Sequence, residues 1–245
     1  MRILLLGGTT DASALARLLA EQGFEAVYSL AGRTEKPVAQ ALPMRVGGFG
    51  GVAGLVAYLQ AEHITHVIDA THPFAAQMSG HAVKACALTG LRLLALERPG
   101  WAEAPADRWT RVADLASAVK ALPKDPARVF LAIGRQHVGA FNPRPEHHYL
   151  LRLVDPGAVD LTAPHDVLID RGPFTTQGDR TLLQAHHITH IVAKNAGGSG
   201  AVAKIEAARA LGLPVILIDR PFIPERPKVE TPEQAIRWLH ADLGV

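Results

Sequence analysis

Three clusters of residues in this chain have types and spacing suited to chemistry. The first is Gly7-Gly8-Thr9-Thr10-Asp11-Ala12, directly after the apolar run Ile3 to Leu6 and before an alanine-rich segment. Backbone N–H groups at a helix N-terminus attract a pyrophosphate, and only small residues let it come within hydrogen-bond reach. A strand, a tight turn and a helix start are the parts of a dinucleotide-binding βα unit. Thr9 and Ala12 stand at the second and third glycine positions of G-x-G-x-x-G. Flavodoxin-like turns share this shape, so the turn alone does not decide.

The second cluster gathers the neighbouring strand ends. The next strand runs out at Ser29-Leu30-Ala31-Gly32-Arg33. A fold that binds NAD normally places an acid there for the ribose 2′-hydroxyl. Ser29, Gly32 and Arg33 offer none. Arg33 and Ser29 suit a 2′-phosphate, which favours NADPH over NADH, with Glu35 close by as the opposing sign. Two later strand ends, Gly47-Gly48-Phe49-Gly50-Gly51 and Asp69-Ala70-Thr71-His72-Pro73-Phe74-Ala75, bring Gly48, Phe49, Thr71, His72 and Pro73 to the same cofactor. No residue is assigned as catalytic. His72 is the one candidate, as an acid, as a hydrogen-bond donor to substrate, or as a spacer.

The third cluster is cationic. Arg135, His137, Arg152, Arg171, Lys194 and Arg220 are scattered in sequence but fall near predicted strand ends of the second half. Several cations converging on a cleft bind a polycarboxylate. Gly197-Gly198-Ser199-Gly200 opens a predicted helix over 201–211 and offers backbone N–H groups to a carboxylate. Two His-x-x-His pairs, His63/His66 and His187/His190, lack a third ligand at suitable spacing, so no metal site is expected. The acid–base pair Tyr-x-x-x-Lys of short-chain dehydrogenases is missing, as are Gly-x-Ser-x-Gly and Gly-Lys-Ser/Thr.

Positioning these residues takes strands and helices in alternation. Apolar runs predict strands over 2–6, 25–29, 44–46, 66–70 and 91–96, and helical periodicity predicts helices over 11–22, 52–61 and 76–89. Such alternation means a parallel sheet with right-handed crossovers. The second half repeats the first. Arg128 to Gly134 mirrors Arg2 to Gly7, Leu183 to Val192 mirrors Leu59 to Ile68, and Val215 to Pro221 mirrors Leu93 to Pro99. A Pro-containing loop and a helix follow each Arg-Pro, over 114–122 and 231–243. Three matches in one order argue for two similar domains. The expectation is an α/β fold of two Rossmann-like domains with parallel sheets, 1–105 and 106–245, and a ligand cleft between them. The boundary falls in the Pro-rich loop from Gly100 to Arg111, and the C-terminal helix is a candidate to pack back on the first domain. The first domain would hold the cofactor and the second an anionic partner.

The 245 residues can bury a large core, and 48% hydrophobic with 20% charged is ordinary for an α/β protein. A net charge of +2 is too small to suggest nucleic acid. No apolar stretch approaches the roughly 18 residues of a membrane span, and Arg2 leads straight into a strand without a signal-peptide pattern. The single Cys86 excludes a disulfide framework. A cytoplasmic monomer or small homo-oligomer is expected, with no nucleic-acid or membrane partner.

The set Gly7-Gly8-Thr9-x-Asp11-Ala12, Gly47-Gly48-Phe49-Gly50, Asp69-Ala-Thr-His-Pro-Phe-Ala75, Arg98-Pro99-x-Trp101, Asp170-Arg171-Gly172-Pro173-Phe174 and Lys194-Asn195-x-Gly197-Gly198 resembles the precorrin-6A reductases of cobalamin biosynthesis along nearly the whole chain. Ala196 departs from that family's usual serine. The resemblance implies NADPH-dependent reduction of one C=N bond of a ring-contracted tetrapyrrole polycarboxylate, giving precorrin-6B. Cofactor contacts are expected from Gly7, Gly8, Thr9, Thr10, Asp11, Ala12, Ser29, Gly32, Arg33, Gly48, Phe49, Thr71, His72 and Pro73. Substrate contacts would come from Arg98, Arg135, His137, Arg171, Lys194, Asn195, Gly197, Gly198 and Arg220. The alternatives are the cobalt-precorrin-6A reductase of the oxygen-independent route, another NAD(P)-dependent reductase, or a nucleotide-sensing protein.

Overall fold

The computed structural model describes residues 1–32 and 38–244. It divides into two compact units. One is Met1–Pro99 with Phe222–Val245, and the other is Gly100–Pro221. The first break falls six residues before the 105/106 boundary expected from sequence, and the C-terminal segment belongs with the first unit.

Each unit is built on a six-stranded, wholly parallel sheet. The first has β1 (Arg2–Leu6), β2 (Glu25–Leu30), β3 (Met44–Val46), β4 (His66–Asp69), β5 (Arg92–Leu96) and β12 (Lys228–Val229), in the order β12-β5-β4-β1-β2-β3. The second has β6 (Trp109–Val112), β7 (Arg128–Ala132), β8 (His148–Leu153), β9 (His165–Ile169), β10 (His190–Lys194) and β11 (Val215–Ile218), in the order β6-β11-β10-β7-β8-β9. The two orders superimpose, strand for strand, and both sheets are Rossmann-like.

The matching strand orders contain an exchange. β6 follows β5 in the chain, yet it pairs with β11 of the other sheet. β12 follows β11, yet it pairs with β5. Backbone bonds fix both edges: Glu97 N–H to Val229 O at 2.8 Å in the first sheet, and Asp219 N–H to Val112 O at 2.8 Å in the second. Sequence patterning missed β6, β8, β9 and β12; β6 and β12, with four and two residues on a sheet edge, carry little periodicity.

Helices follow from capping and apolar spacing. In α1 (Thr10–Glu21), Thr9 Oγ1 accepts the Ala12 N–H, and Ala12, Leu15, Ala16 and Leu19 form the buried stripe. In α7 (Pro232–Leu243), Thr231 and Gln234 make a reciprocal capping box, and Pro232 pre-sets the first turn. Ala235, Ile236 and Leu239 of α7 are buried in the same core cluster as Leu15 and Leu19. The far end of α7 is tied down by Asp242, which lies 2.7 Å from His66 Nε2 and 2.8 Å from an Arg92 guanidinium nitrogen. Among the remaining paired histidines, His63 and His187 have left-handed backbones, φ 49° and 51°, just past the ends of α2 (Gly51–Ala61) and α5 (Thr176–Ala185).

Since α7 completes the first unit's core, Leu239→Ala is expected to cost about 3 kcal/mol through lost burial and a cavity. A urea midpoint, followed by tryptophan fluorescence, that matches wild type would show that α7 is not integral to that core.

Candidate functional site

The C-terminal ends of β1 to β4 surround a pocket in the first unit. Its lining is Leu6, Gly7, Gly8, Ser29, Leu30, Ala31, Gly32, Val46, Gly47, Gly48, Phe49, Thr71, His72, Ala75 and Met78. It encloses about 220 Å³. That is small beside the roughly 300–1,000 Å³ of a complete small-molecule site, so it has room for part of a dinucleotide. None of the lining residues carries a carboxylate.

The floor is built by one close contact. Tyr28 of β2 is 1% exposed, and a Cβ added to Gly7 would lie 2.2 Å from its ring. Only glycine lets the turn pass over that ring. Tyr28 Oη also accepts the Gly8 N–H at 2.9 Å, so this amide has a protein partner in the turn. Beyond it Thr9 is doubly engaged, capping α1 and donating its hydroxyl to Ala70 O at 2.9 Å, which ties the turn to the end of β4. On the opposite wall Gly47 takes φ 123°, and a Cβ on Gly47 or Gly48 would meet nothing within 4 Å. These glycines border open space, as a cradle for a phosphate or ribose requires.

The strand β4 ends in a buried acid. Asp69 Oδ1 accepts from the Thr71 N–H at 3.2 Å and from its hydroxyl at 2.7 Å, which fixes Thr71 at the pocket edge. Arg226, from the C-terminal segment, lies 3.6 Å from Asp69 Oδ2 and 2.9 Å from Glu97. His72 is exposed at the rim and accepts the Phe74 N–H through Nδ1 at 3.2 Å. Cys86, buried under the same sheet, is pushed up to about 11 by burial and then by Asp69, which leaves it an unreactive thiol.

The structure thus brings Gly7, Gly8, Ser29, Gly32, Gly48, Phe49, Thr71 and His72 together around one pocket. Thr9, Thr10, Asp11, Ala12 and Pro73 do not line it. Thr9 to Ala12 form the cap and first turn of α1, and Pro73 is buried. Arg33 lies outside the described residues. Sequence reasoning missed Arg45. This residue of β3 donates to Ser29 Oγ at 2.8 Å, Gly47 O at 2.9 Å and Gly48 O at 3.3 Å. Its guanidinium lies 3.8 Å from the Phe49 ring centre. The signal available was a single arginine in a three-residue strand beside a glycine run.

The expected substrate cations sit at strand ends of the second unit, except Arg98, which belongs to the first. Arg98 meets Asp11 at 2.5 Å, so a residue read as substrate-binding and one read as cofactor-binding form one ion pair. Arg135 donates to the carbonyls of Asp155 and Ala158, and Arg171 pairs with the Asp155 carboxylate at 3.0 Å. His137 lies with Arg135 in a short 3₁₀ segment (Arg135–Phe141) where the first unit has α1. Lys194 ends β10, and Gly197 and Gly198 follow it with left-handed backbones. Asn195 is buried, and its side-chain amide accepts the Trp101 N–H at 2.7 Å and donates to Trp101 O at 3.2 Å. Trp101 Nε1 donates to Gly198 O, and Arg220 donates to the carbonyls of Asn195 and Ala196. Arg152 is buried against Asp179 at 2.5 Å, with its guanidinium 3.7 Å from the Phe174 ring centre. Among the described residues no group of three His, Cys, Asp or Glu is placed to hold a metal, and no helix is long and apolar enough to cross a membrane.

Comparison with known proteins finds close relatives of this chain. The family model described as precorrin-6x reductase CbiJ/CobK matches residues 2–240. The precorrin-6A reductase of Rhodobacter capsulatus is 64% identical over 244 residues, covering 99% of this chain and 97% of that protein. A cobalt-precorrin-6A reductase of Priestia megaterium is 28% identical over 254 residues, covering 97% of each. A solved structure titled CobK precorrin-6A reductase matches with a TM-score of 0.95 and 63% identity, covering 100% of this chain and 98% of that one.

One group in the second unit has a thermodynamic consequence. Lys204, in α6 (Ala203–Leu211), is 6% exposed; its Nζ donates to Ala201 O at 2.6 Å and lies 5.1 Å from the Trp101 ring centre. Burial, then Arg152, push it down to about 8 from the usual 10.5, with Asp179 opposing. Between those values the unfolded chain holds a proton that the folded chain has released, so stability rises with pH across that window. The destabilisation is complete below about 8 and relieved above 10.5. Lys204→Met removes the titration and is expected to flatten the rise. Parallel urea midpoints for both proteins at pH 7.5 and 9.5 would contradict this.

Proposed function

The chain belongs to the precorrin-6x reductase family CbiJ/CobK, and from that premise we propose that it reduces one C=N bond of precorrin-6A to give precorrin-6B, with NADPH as reductant. It is an oxidoreductase of cobalamin biosynthesis, and a reductase of this family takes a nicotinamide cofactor. The observation that carries NADPH is the carboxylate-free pocket at the ends of β1 to β4. An enzyme that binds NADH by its ribose normally has an acid at the end of β2, where this chain has Ser29 and Leu30. The cobalt-free substrate is supported by the higher identity to the Rhodobacter capsulatus enzyme than to the cobalt-precorrin enzyme. The work belongs in the cytoplasm, where the nicotinamide pool is.

Gly7, Gly8, Gly47 and Gly48 would hold the dinucleotide backbone, Ser29 and Gly32 its adenosine ribose, and Thr71 and His72 its reactive end. When bound, the cofactor supplies a hydride to the C=N carbon. Thr71 is already oriented by Asp69, so little ordering remains on binding. Leu6, Leu30, Val46 and Met78 line the pocket with apolar surface and keep water out. His72 is the candidate to hold a proton near the substrate nitrogen. On the substrate side, carboxylate arms call for cations. Arg171, with its side chain 44% exposed, and Lys194 are the residues assigned to them. Arg98, Arg135, Arg220 and Asn195 also orient the strand ends through the bonds described above.

Absorbance at 340 nm should fall when the protein and NADPH are mixed only once precorrin-6A is added, and NADPH should bind more tightly than NADH. NADPH binding without turnover on precorrin-6A or its cobalt form would replace the reductase reading with a nucleotide sensor. Arg171→Ala and Lys194→Ala should each raise the substrate KM about tenfold, or about 1.4 kcal/mol. Unchanged kinetics in both variants would remove them from the substrate site.

A further inference from the structure

We infer that Arg45 is the residue that selects the 2′-phosphate of the cofactor, an inference that rests on the NADPH reading above and names the group responsible. Arg45 stands at the step of β3 paired with Ser29 of β2, so guanidinium and hydroxyl meet where the ribose 2′ substituent reaches a dinucleotide fold. Its contacts Ser29, Gly47, Gly48 and Phe49 all belong to the pocket lining.

The second unit supplies the comparison. There Arg152 lies on β8, the strand equivalent to β2, and stacks on Phe174 at 3.7 Å, much as Arg45 stacks on Phe49 at 3.8 Å. The two arginines differ in their partners. Arg152 is neutralised by Asp179 at 2.5 Å. The oxygens that Arg45 bonds are neutral, a hydroxyl and two carbonyls, and among the described residues no carboxylate comes within ion-pair distance of it. A guanidinium has five N–H donors. Three are directed at these oxygens, and the remaining two can meet a phosphate. Arg45 is half-exposed, so the charge is reachable. The stack on Phe49 and the two carbonyl bonds fix the plane of the guanidinium before any ligand arrives, which lowers the ordering cost of binding.

The test is a binding titration, read by cofactor fluorescence or calorimetry, of NADPH, NADH, 2′,5′-ADP and 5′-AMP against wild type, Arg45→Gln and Arg45→Lys. Arg45→Gln should weaken NADPH and 2′,5′-ADP at least tenfold while NADH and 5′-AMP change less than threefold. Arg45→Lys should recover part of the loss. Equal losses for phosphorylated and unphosphorylated ligands, with thermal midpoints unchanged, would reduce Arg45 to a clamp on the glycine loop and overturn the inference. Unchanged NADPH affinity in Arg45→Gln would overturn it too and return the phosphate to Arg33. Wild type binding NADH as tightly as NADPH is a different failure, because it sinks the NADPH reading itself.

Discussion

Each sheet is closed by a strand from the opposite side of a chain crossing, and this exchange constrains the rest of the architecture. β12 and α7 complete the first unit, and β6 begins the second. A segment cut after Pro99 would lack Ala235, Ile236 and Leu239, which are buried among the side chains of α1 and β1. It would also expose the edge of β5, whose backbone groups Glu97 and Ala95 bond to the C-terminal segment. An open parallel edge beside missing core is a poor folding unit. The exchange therefore binds the fate of the first ninety-nine residues to the last twenty-four.

On this common scaffold the same positions serve different ends. In the first unit the ring of Tyr28 sits where a side chain on Gly7 would be, so the turn after β1 stays low and open. After β7 the corresponding step carries Ile133, which is buried, and the chain enters a 3₁₀ segment instead of an α-helix. That ending has no run of N-terminal helix amides aligned for a pyrophosphate. Charge follows the same division. The buried arginine of the second sheet has its own carboxylate, whereas the arginine beside the first pocket is held by neutral oxygens. A cation paired with a carboxylate stiffens a fold, whereas one held by neutral oxygens keeps more of its field.

Strands with continuous apolar runs were legible from sequence because parallel strands are buried on both faces. The repeat was legible because Leu59–Ile68 and Leu183–Val192 keep both residue types and spacing. The exchange was not, since β6 and β12 are short and lie in Pro-rich stretches that read as loops. Within the site, glycine and strand-end motifs pointed to the pocket, but sequence gave no means of separating lining residues from caps. Thr9 carries the right type for a ligand, and its hydroxyl is taken by α1 and Ala70. Arg45 stayed hidden for a related reason. Its significance depends on Ser29 sixteen residues earlier and on an aromatic ring four residues later, a relation visible only once β2 and β3 are paired.

The two Arg-Pro pairs show how the crossings are made. Pro99 and Pro221 are the last residues before the chain changes unit. The arginine before each is anchored in the unit being left: Arg98 on Asp11 in the first turn of α1, and Arg220 on the carbonyls of Asn195 and Ala196 after β10. Proline fixes φ and donates no N–H, so the strand cannot extend past it. Asp11 lies at the positive end of α1, in its first turn. Arg98 pairs with it at 2.5 Å, so the cation that anchors the crossing also offsets the charge at the start of α1. In this way one ion pair ties the end of β5 to the first turn of α1.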